Sequence, residues 1–385
     1  MHPISNGMKI LFLSDDFPPT SFGGAGISTY DLARGIKKAG HEVFVITTCR
    51  KENEAGESDY NGLKVFKIAS DYPGKWRAYV SLYNRPVIRK LEDILKRVKP
   101  DVVHANNIHH YLSYHSLKIA KKYAKVVITF RDVMSFSFGK LMTRKYLENL
   151  DARTTWLDHL KQAKKRWNPL RNLIIKYYLG YADKRFAVSY ALKKALEQNG
   201  IKDVEVIHTG IDLSEYYQSP REHNKKIIFF AGRLSDAKGA KVVEKAMQII
   251  SKKIPDAELL TAGTGGKWLN REEMKLAYAA SNIVLVPSVC FDAFPRTVLE
   301  AMASARPVVG TCYGGASEAI VDSVTGYVVN PFNIKEMAEK IIDLLKNPEK
   351  AEKFGKAGYE RVKKDFNLDK VTDSLLDKFA KSINM

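Results

Sequence analysis

The stretch Gly232-Arg233-Leu234-Ser235-Asp236-Ala237-Lys238-Gly239 decides the fold, because it joins an apolar strand pattern at residues 227–231 to an amphipathic helix pattern at residues 242–251. In an open parallel sheet, ligands bind where the carboxyl ends of strands meet such loops. Arg233 can fork onto two phosphate oxygens, and Lys238 can act as a point charge on the same anion. The stretch therefore predicts an anion site, although a solvated basic loop explains it equally well when it is taken alone.

A second strand pattern, at residues 283–287, is followed by a loop and a helix that carry two carboxylates. Asp292 lies in the loop, and Pro295 suits the first position of the helix. The N–H groups that begin such a helix favour an anion. Glu300 faces the apolar side of the helix, where a buried carboxylate needs a donor such as a sugar hydroxyl. In the structural alternative, Asp292 caps the helix and Glu300 pairs with a nearby arginine.

Strand and helix patterns alternate along the chain, which predicts an α/β protein with parallel sheets covered by helices. The strand patterns lie at residues 10–13, 43–47, 102–104, 126–130, 186–189 and 204–208, and then at 227–231, 258–262, 283–287, 308–310 and 326–329. The polar residues 213–226, which include Pro220, predict a linker between two domains. We expect an N-terminal domain at residues 1–212, a C-terminal domain at residues 213–365, and a return of residues 366–385 to the first domain.

The composition is that of an ordinary globular chain, with 385 residues, 45% hydrophobic and 27% charged. No apolar run approaches the roughly 18 residues of a membrane span, and polar residues interrupt the pattern of a signal peptide near the start. Three widely spaced cysteines predict neither a disulfide framework nor a metal cluster, which favours the cytoplasm. His109, His110 and His115 lack Cys or carboxylate partners at ligand spacing, so we expect them to be exposed, with a place on the acceptor side as the alternative.

The net charge of +19 is concentrated in the first half of the chain. Residues 1–212 hold 36 Lys/Arg and 21 Asp/Glu, whereas the remainder holds 26 and 22. The basic half is expected to meet an anionic partner, such as a membrane surface, a lipid phosphate or a nucleic acid. The alternative is that the charge serves solubility alone.

Residues 160–178 combine basic and aromatic side chains without any Asp or Glu. The six cations of this stretch are Lys161, Lys164, Lys165, Arg166, Arg171 and Lys176. Such a pattern suits the headgroup layer of an anionic membrane, with Pro169 breaking or starting a helix inside it. Residues 76–97 form a second basic and aromatic stretch. The alternative for residues 160–178 is a packed helix with a solvated basic face.

The two motifs of the second half together resemble the retaining glycosyltransferases of group 1, the GT4 family. The resemblance extends to Pro18-Pro19, Gly23-Gly24-Ala25, residues 101–104, residues 189–196 and residues 206–212. It implies the GT-B fold, in which two Rossmann-like domains face each other across a cleft. It also implies a hexosyltransferase that takes a sugar from a nucleoside diphosphate such as UDP or GDP and needs no metal ion or other cofactor.

The resemblance assigns donor-binding roles to matching positions. Gly23 and Gly24 would bring backbone N–H groups to the β-phosphate, and Arg233 and Lys238 would neutralise the diphosphate as it leaves. Glu300 would accept hydrogen bonds from the ribose hydroxyls. The remaining expected donor contacts are Asp292, through its carboxylate to the sugar, and Phe294 and Thr297, through their backbone N–H groups.

Three departures from the family pattern surround the donor sugar. Asp292 stands where Glu is usual, Pro295 stands where Gly is usual, and Arg131 stands where the family commonly has His. Arg131 would place a permanent cation near the sugar or the acceptor, and it cannot serve as a base. Its alternative is a structural turn with Asp132. The candidate catalytic residues are Asp292, Arg233, Lys238 and Arg131.

The basic N-terminal half points to an acceptor at a membrane, such as a lipid-linked glycan or another membrane-associated glycoconjugate. We therefore expect a cytoplasmic protein that is peripheral at the inner face of the cell membrane. Two other readings remain open at this point. One is a nucleotide-sugar epimerase or phosphorylase of the same fold, and the other is a non-catalytic protein that binds nucleic acid or another anion. No recognised nucleic-acid motif supports the latter.

Overall fold

The computed structural model of the chain describes residues 7–20, 23–164, 167–218, 225–232, 234–264 and 267–383. The chain folds into two compact units. Unit 1 consists of Met1–Gly139, Ala152–Gly210 and Val371–Met385, and unit 2 consists of Lys140–Asp151 and Ile211–Lys370.

Unit 1 is built on an eight-stranded sheet. Its strands are β1 (Lys9–Leu13), β2 (Glu42–Cys49), β3 (Gly56–Tyr60), β4 (Leu63–Ala69), β5 (Val102–Ala105), β6 (Lys125–Phe130), β7 (Lys184–Ala187) and β8 (Val204–Val206). Their order across the sheet is β3-β4-β2-β1-β5-β6-β7-β8, and every neighbouring pair is parallel except β3 and β4.

The helices of the first half connect these strands. They are α1 (Gly24–Lys38), α2 (Arg77–Val80), α3 (Arg85–Val98), α4 (His115–Ala120), α5 (Arg144–Asn149), α6 (Trp156–Ala163), α7 (Arg171–Leu179) and α8 (Tyr190–Gln198). Gly40, with a φ of +91°, follows the end of α1 and turns the chain into β2. Helix α5 is the exception in this group because it belongs to unit 2.

Unit 2 contains a five-stranded parallel sheet and a small antiparallel pair. Its strands are β9 (Lys226–Phe230), β10 (Ala257–Thr261), β11 (Gly263–Thr264), β12 (Lys267–Trp268), β13 (Ile283–Val286), β14 (Val308–Thr311) and β15 (Gly326–Val329). The parallel strands lie in the order β10-β9-β13-β14-β15, and β11 pairs with β12. Strands β13 and β14 are buried at every residue, as expected of a parallel sheet covered on both faces.

The helices of the second half are α9 (Ala240–Lys253), α10 (Arg271–Ala280), α11 (Arg296–Ala303), α12 (Ala316–Ala319), α13 (Ile334–Lys346), α14 (Pro348–Asp365) and α15 (Leu368–Ile383). Helix α15 carries the chain back into unit 1, where Leu375 and Phe379 join the core around β1 and β2. The ring of Phe379 lies 5.4 Å from that of His104. The predicted α/β fold with a returning C-terminal helix is therefore confirmed. Of the helices described, none has both the length and the apolar composition of a membrane span.

Candidate functional site

Lys238 and Asp292 meet at the carboxyl edge of the unit 2 sheet. Lys238 ends a short 3-10 turn after β9, and Asp292 lies in the loop after β13. Because β9 and β13 pair in parallel, their carboxyl ends lie side by side. Lys238 Nζ donates to Asp292 Oδ2, and Ser288 Oγ donates to the same oxygen at 3.1 Å. The structure thus brings together the two side chains predicted to contact the diphosphate and the sugar.

This ion pair is only partly buried. The side chain of Lys238 is 30% exposed and that of Asp292 is 14% exposed. An ammonium group carries three donors, so the contact with Asp292 leaves Lys238 able to bind a phosphate as well. The pair thus places a cation, which suits an anionic group, beside a carboxylate, which suits hydroxyl groups.

Two glycines allow the loops around this pair to pack closely. Gly239 has a φ of +91°, and a Cβ atom there would lie 2.3 Å from the carbonyl oxygen of Pro287. Gly314 has a φ of +87°, and its Cβ would lie 1.9 Å from the carbonyl oxygen of Asp292. Gly315 N–H donates to that same oxygen at 2.8 Å. Gly239 thus allows its own turn to approach the neighbouring loop closely.

Glu300 is held by three donors from unit 2. Its Oε1 accepts from Arg296 Nε at 2.8 Å and from the Tyr216 hydroxyl at 3.3 Å, and its Oε2 accepts from the Tyr278 hydroxyl at 2.8 Å. Burial, together with the carboxylate of Glu300, raises the pKa of Tyr278, which keeps this hydroxyl a donor. The chain supplies the donors that Glu300 needs, as the structural alternative for this residue predicted. Its contact with ribose hydroxyls stays a prediction.

The start of α11 arranges the remaining donor-site candidates of unit 2. Pro295 occupies the N-cap position and no side chain caps the helix, so the alternative that Asp292 is the cap is wrong. Phe294 is buried, with its ring 5.5 Å from that of Phe366. Thr297 lies in the first turn, where backbone N–H groups have no partner four residues earlier in the helix. The expected N–H contacts of Phe294 and Thr297 with the donor stay predictions.

Three further donor-binding candidates keep their predicted roles without a structural test. Arg233 lies outside the described residues. Gly23 is the N-cap of α1 and Gly24 is its first residue, and both are exposed in unit 1. Backbone N–H groups at a helix start suit a phosphate, which is the role expected of this pair.

Arg131 and Asp132 follow β6 at the carboxyl edge of the unit 1 sheet and contact different partners. Arg131 Nε donates to Asn106 Oδ1 at 2.9 Å. Asp132 Oδ1 accepts from Met134 N–H at 2.8 Å, and its Oδ2 lies 3.5 Å from His109 Nδ1. The Asp132 carboxylate thus shapes the local turn, while Arg131 is tied to the neighbouring strand end.

A small pocket, partly open to solvent, lies at this edge. Its polar lining residues are Asn106, Asn107, His109, Arg131, Asp132 and Ser135. Ser135 Oγ is buried and has no hydrogen-bond partner within the described part of the chain. Burial lowers the pKa of His109 to about 4 against the opposing effect of Asp132, so the imidazole is neutral at neutral pH. The expectation that His109, His110 and His115 are exposed is wrong, because all three are at least half-buried.

Asp15, two residues after the end of β1, fixes the loop beside this pocket. Its carboxylate accepts backbone N–H groups from His110 at 2.7 Å, Tyr111 at 2.8 Å and Leu112 at 2.7 Å. Burial raises the pKa of Asp15 to about 7, against these three donors, which favour the ionised form. Across residues 7–383, apart from the gaps named above, no group of three or more His, Cys, Asp or Glu is placed to hold a metal ion.

Comparison with protein families accounts for both halves of the chain. The family described as Glycosyltransferase Family 4 matches residues 22–215, and Glycosyl transferases group 1 matches residues 266–361. The first match alone spans about half of the chain. This chain belongs to the group 1 (GT4) glycosyltransferases.

Relatives of this glycosyltransferase include a glycogen synthase and a spore coat protein. Glycogen synthase of Mycobacterium tuberculosis is 23% identical over an alignment that covers 94% of this chain and 92% of that protein. Spore coat protein SA of Bacillus subtilis is 27% identical over an alignment that covers 46% of this chain and 59% of that protein.

Solved structures show that this glycosyltransferase has the GT-B fold. Sucrose-phosphate synthase of Thermosynechococcus elongatus superposes with a TM-score of 0.75 at 18% identity, over 97% of this chain and 98% of that one. HepE of Anabaena, solved with UDP, superposes with a TM-score of 0.67 at 17% identity, over 97% and 100% of the two chains. The predicted family and fold are confirmed.

Several contacts of the glycosyltransferase site were not predicted from the sequence. Arg296 could have been found, because it stands four residues before Glu300 on one helix and so shares its face. Tyr216 and Tyr278 reach Glu300 from distant parts of the chain, and no local pattern indicates them. Tyr146 of α5 also packs against this site, with its ring 5.4 Å from that of Phe291.

Proposed function

We propose that this glycosyltransferase moves a hexose from a nucleoside-diphosphate sugar, with retention of the anomeric configuration and without a metal ion. The observation that carries the proposal is the contact between Lys238 and Asp292, since it joins an anion-binding cation to a hydroxyl-binding carboxylate at the carboxyl edge of the sheet. HepE, a structural neighbour, was solved with UDP and with UDP-glucose, which supports a donor of the UDP-sugar class.

In the proposed reaction, the bond between the anomeric carbon and the diphosphate oxygen breaks, and the electron pair leaves with the diphosphate. The barrier is the charge separation between an oxocarbenium-like sugar and this leaving group. Lys238, together with Arg233, neutralises the diphosphate in place of a metal ion. One preorganised donor of this kind contributes roughly 3–4 kcal/mol. The acceptor oxygen then attacks the same face of the sugar and gives its proton to the departing diphosphate.

The other candidates serve the proposed reaction by positioning the donor. Asp292 holds a sugar hydroxyl, and Glu300 holds the ribose. Arg131 supplies a fixed positive charge beside the sugar or the acceptor, since a guanidinium does not act as a base. Its hydrogen bond to Asn106 keeps that charge at the strand end.

For the acceptor, we propose a lipid-linked glycan or another glycoconjugate at an anionic membrane surface. Helix α6 exposes Trp156, Leu157 and Leu160, which share one face at helical spacing, and α7 exposes Leu173 and Tyr177. The cations Lys161, Lys164 and Lys176 are exposed in the same stretch. Apolar and aromatic groups flanked by lysines suit a lipid headgroup layer.

The two basic and aromatic stretches of the sequence adjoin each other within unit 1. The Tyr79 hydroxyl donates to the Trp167 carbonyl at 3.0 Å, and Asn168 Nδ2 donates to the Ala78 carbonyl at 3.0 Å. Arg171, one of the cations of the predicted stretch, is instead buried with its guanidinium on the carbonyl of Met134. The prediction that Arg171 contributes to a membrane surface is therefore wrong, because a buried side chain does not present its charge at the exterior.

The test of the proposed reaction is the stereochemistry of its product. The full chain is incubated with UDP-, GDP- and ADP-sugars of defined anomeric configuration and with a lipid extract, and the new linkage is assigned by NMR with and without EDTA. We expect a product with the donor's configuration and equal yield in EDTA. An inverted product, or activity that Mg²⁺ restores after EDTA, would contradict the proposal. Formation of a sugar phosphate from a glycan and inorganic phosphate, with cleavage of the glycosidic bond, would instead indicate the phosphorylase alternative.

A further inference from the structure

The segment Lys140–Asp151, called here the 140–151 segment, lies in unit 2 although the chain on either side of it lies in unit 1. It contains α5, and the side chain of Thr143 caps this helix by accepting from Tyr146 N–H at 3.3 Å. The chain therefore passes between the units at both ends of this short segment. Ordering the segment outside the surrounding unit costs chain entropy, so its contacts in unit 2 must offset that cost.

The 140–151 segment contacts the residue next to Asp292. Phe291 N–H donates to the carbonyl of Leu141 at 3.1 Å. The ring of Tyr146 lies 5.4 Å from that of Phe291 and 5.8 Å from that of Tyr313. These distances are typical of favourable aromatic pairs. The loop that carries Asp292 is thus held from one side by the segment.

The same tyrosine also reaches the loop behind Asp292. Burial raises the pKa of the Tyr146 hydroxyl, and the nearby backbone N–H of Gly314 opposes that rise. Gly314 forms a backbone bridge with Asp292, and the close approach of the two residues excludes any side chain at Gly314. The Tyr146 side chain therefore lies against both loops that hold the Asp292 backbone, its ring near Phe291 and Tyr313 and its hydroxyl near Gly314.

Tyr313 ties the far end of the segment to unit 2. Its hydroxyl donates to the carbonyl of Leu147 at 3.1 Å. With the Leu141 and Tyr146 contacts, the segment is anchored at three points around the carboxyl ends of β13 and β14. Lys238, which holds the diphosphate in the proposed site, stands on the turn after β9, whereas the segment contacts the loops after β13 and β14.

We infer that Tyr146 is a positioning residue for the donor sugar. Through Phe291 and Gly314 it fixes the position of Asp292, and so it affects binding of the sugar more than binding of the nucleoside diphosphate. This inference rests on the proposed function. Loss of the hydroxyl leaves the ring packing intact but frees the Gly314 loop. One hydrogen bond of this type changes an equilibrium by about threefold to tenfold.

The experiment compares the binding of UDP-glucose and of UDP alone to the full chain by calorimetry, with the GDP and ADP pairs used where the wild type prefers them. The test variant is Tyr146→Phe. The matched control is Tyr327→Phe, because Tyr327 is also buried in unit 2 and donates to Asp343 at 2.6 Å, away from Asp292. Lys238→Ala serves as the test of the donor site itself.

We expect Tyr146→Phe to raise the Kd of the nucleotide sugar about threefold to tenfold, while the Kd of the nucleoside diphosphate changes less than about twofold. Tyr327→Phe should change neither value. An equal rise in the Kd of both ligands, or no rise in either, would overturn the inference. If Lys238→Ala left diphosphate binding unchanged, or if the wild type bound no nucleotide, the proposed function itself would fail. Thermal unfolding of both Phe variants separates a sugar-specific effect from a general loss of structure.

Discussion

At the scale of single residues, Glu300 shows how a functional candidate can also be part of the core. Its carboxylate accepts from Arg296, Tyr278 and Tyr216, and the side chain of Arg296 is only 6% exposed. The sequence indicates the buried carboxylate through its place on α11, and the arginine through its spacing. It could not indicate the two tyrosines, because tertiary contacts between distant segments leave no local pattern.

Substitutions at Glu300 should separate these two roles. Glu300→Ala leaves Arg296 buried without its carboxylate, so we expect a loss of about 3–5 kcal/mol in the free energy of unfolding. Glu300→Gln keeps the shape and one acceptor, so it should cost less stability yet still lower transfer about tenfold through the ribose contact. Urea titration and transfer assays measure the two effects.

The control for Glu300 is Glu339→Ala, which removes an exposed carboxylate from α13. It should leave both stability and transfer unchanged. Wild-type stability of Glu300→Ala would contradict the buried network. Wild-type transfer by Glu300→Gln would contradict the ribose contact.

At the scale of elements, the strands were the most predictable part of the chain. Each predicted strand of the parallel sheets is present within a few residues, because fully buried strands give continuous apolar runs. The hairpin of β3 and β4 was missed although Asn61-Gly62 stands at its turn, with φ values of 51° and 77°. An Asn-Gly pair between short strands is a strong hairpin signal.

The 140–151 segment could not have been assigned to unit 2 from the sequence. Nothing in its composition differs from the chain around it, and its anchors are Phe291 and Tyr313, far away in the sequence. Its place is decided by packing in the folded state. A prediction from local patterns therefore extends the first domain through the 140–151 segment.

Two glycines with the same φ provide a test of loop packing at this scale. Gly239 and Gly40 both have a φ of +91°, but only at Gly239 would a Cβ meet a backbone atom, 2.3 Å away on Pro287. Gly40→Ala should cost about 1–2 kcal/mol from conformation alone. Gly239→Ala should cost clearly more, and should weaken donor binding because the turn of Lys238 must move.

Denaturant unfolding of the two glycine variants measures this difference. Nothing lies within 4 Å of a Cβ placed at Gly40, so this position isolates the cost of the left-handed backbone. Equal destabilisation by the two substitutions would show that the loops adapt without strain. The account of a closely packed Lys238 turn would then be wrong.

At the scale of the whole molecule, the excess of positive charge lies in the N-terminal half, together with the exposed apolar residues of α6 and α7. Leu173→Ser should reduce binding to vesicles of phosphatidylcholine and phosphatidylglycerol about tenfold, since one buried leucine side chain contributes roughly 1.5–3 kcal/mol. Flotation measures the bound fraction. Vesicles of phosphatidylcholine alone should bind weakly, because the lysines would have no anionic partner.

The matched control for the membrane surface is Leu276→Ser. Leu276 is a comparably exposed leucine, but it lies on α10 of unit 2. Its substitution should leave vesicle binding unchanged. Equal binding of the Leu173→Ser variant and the wild type, or no preference for anionic vesicles, would contradict the membrane-bound acceptor.

The most direct test of the central claim is calorimetric titration of the full chain with UDP-, GDP- and ADP-sugars, in the wild type and in Lys238→Ala. The control is Lys241→Ala, because Lys241 lies three residues from Lys238, is exposed and pairs with Asp236 at 2.9 Å. We predict that the wild type binds at least one of these donors, that Lys238→Ala weakens this binding by about tenfold or more, and that Lys241→Ala does not. Binding of none of the donors, or equal binding by the Lys238→Ala variant and the wild type, would contradict the proposed donor site.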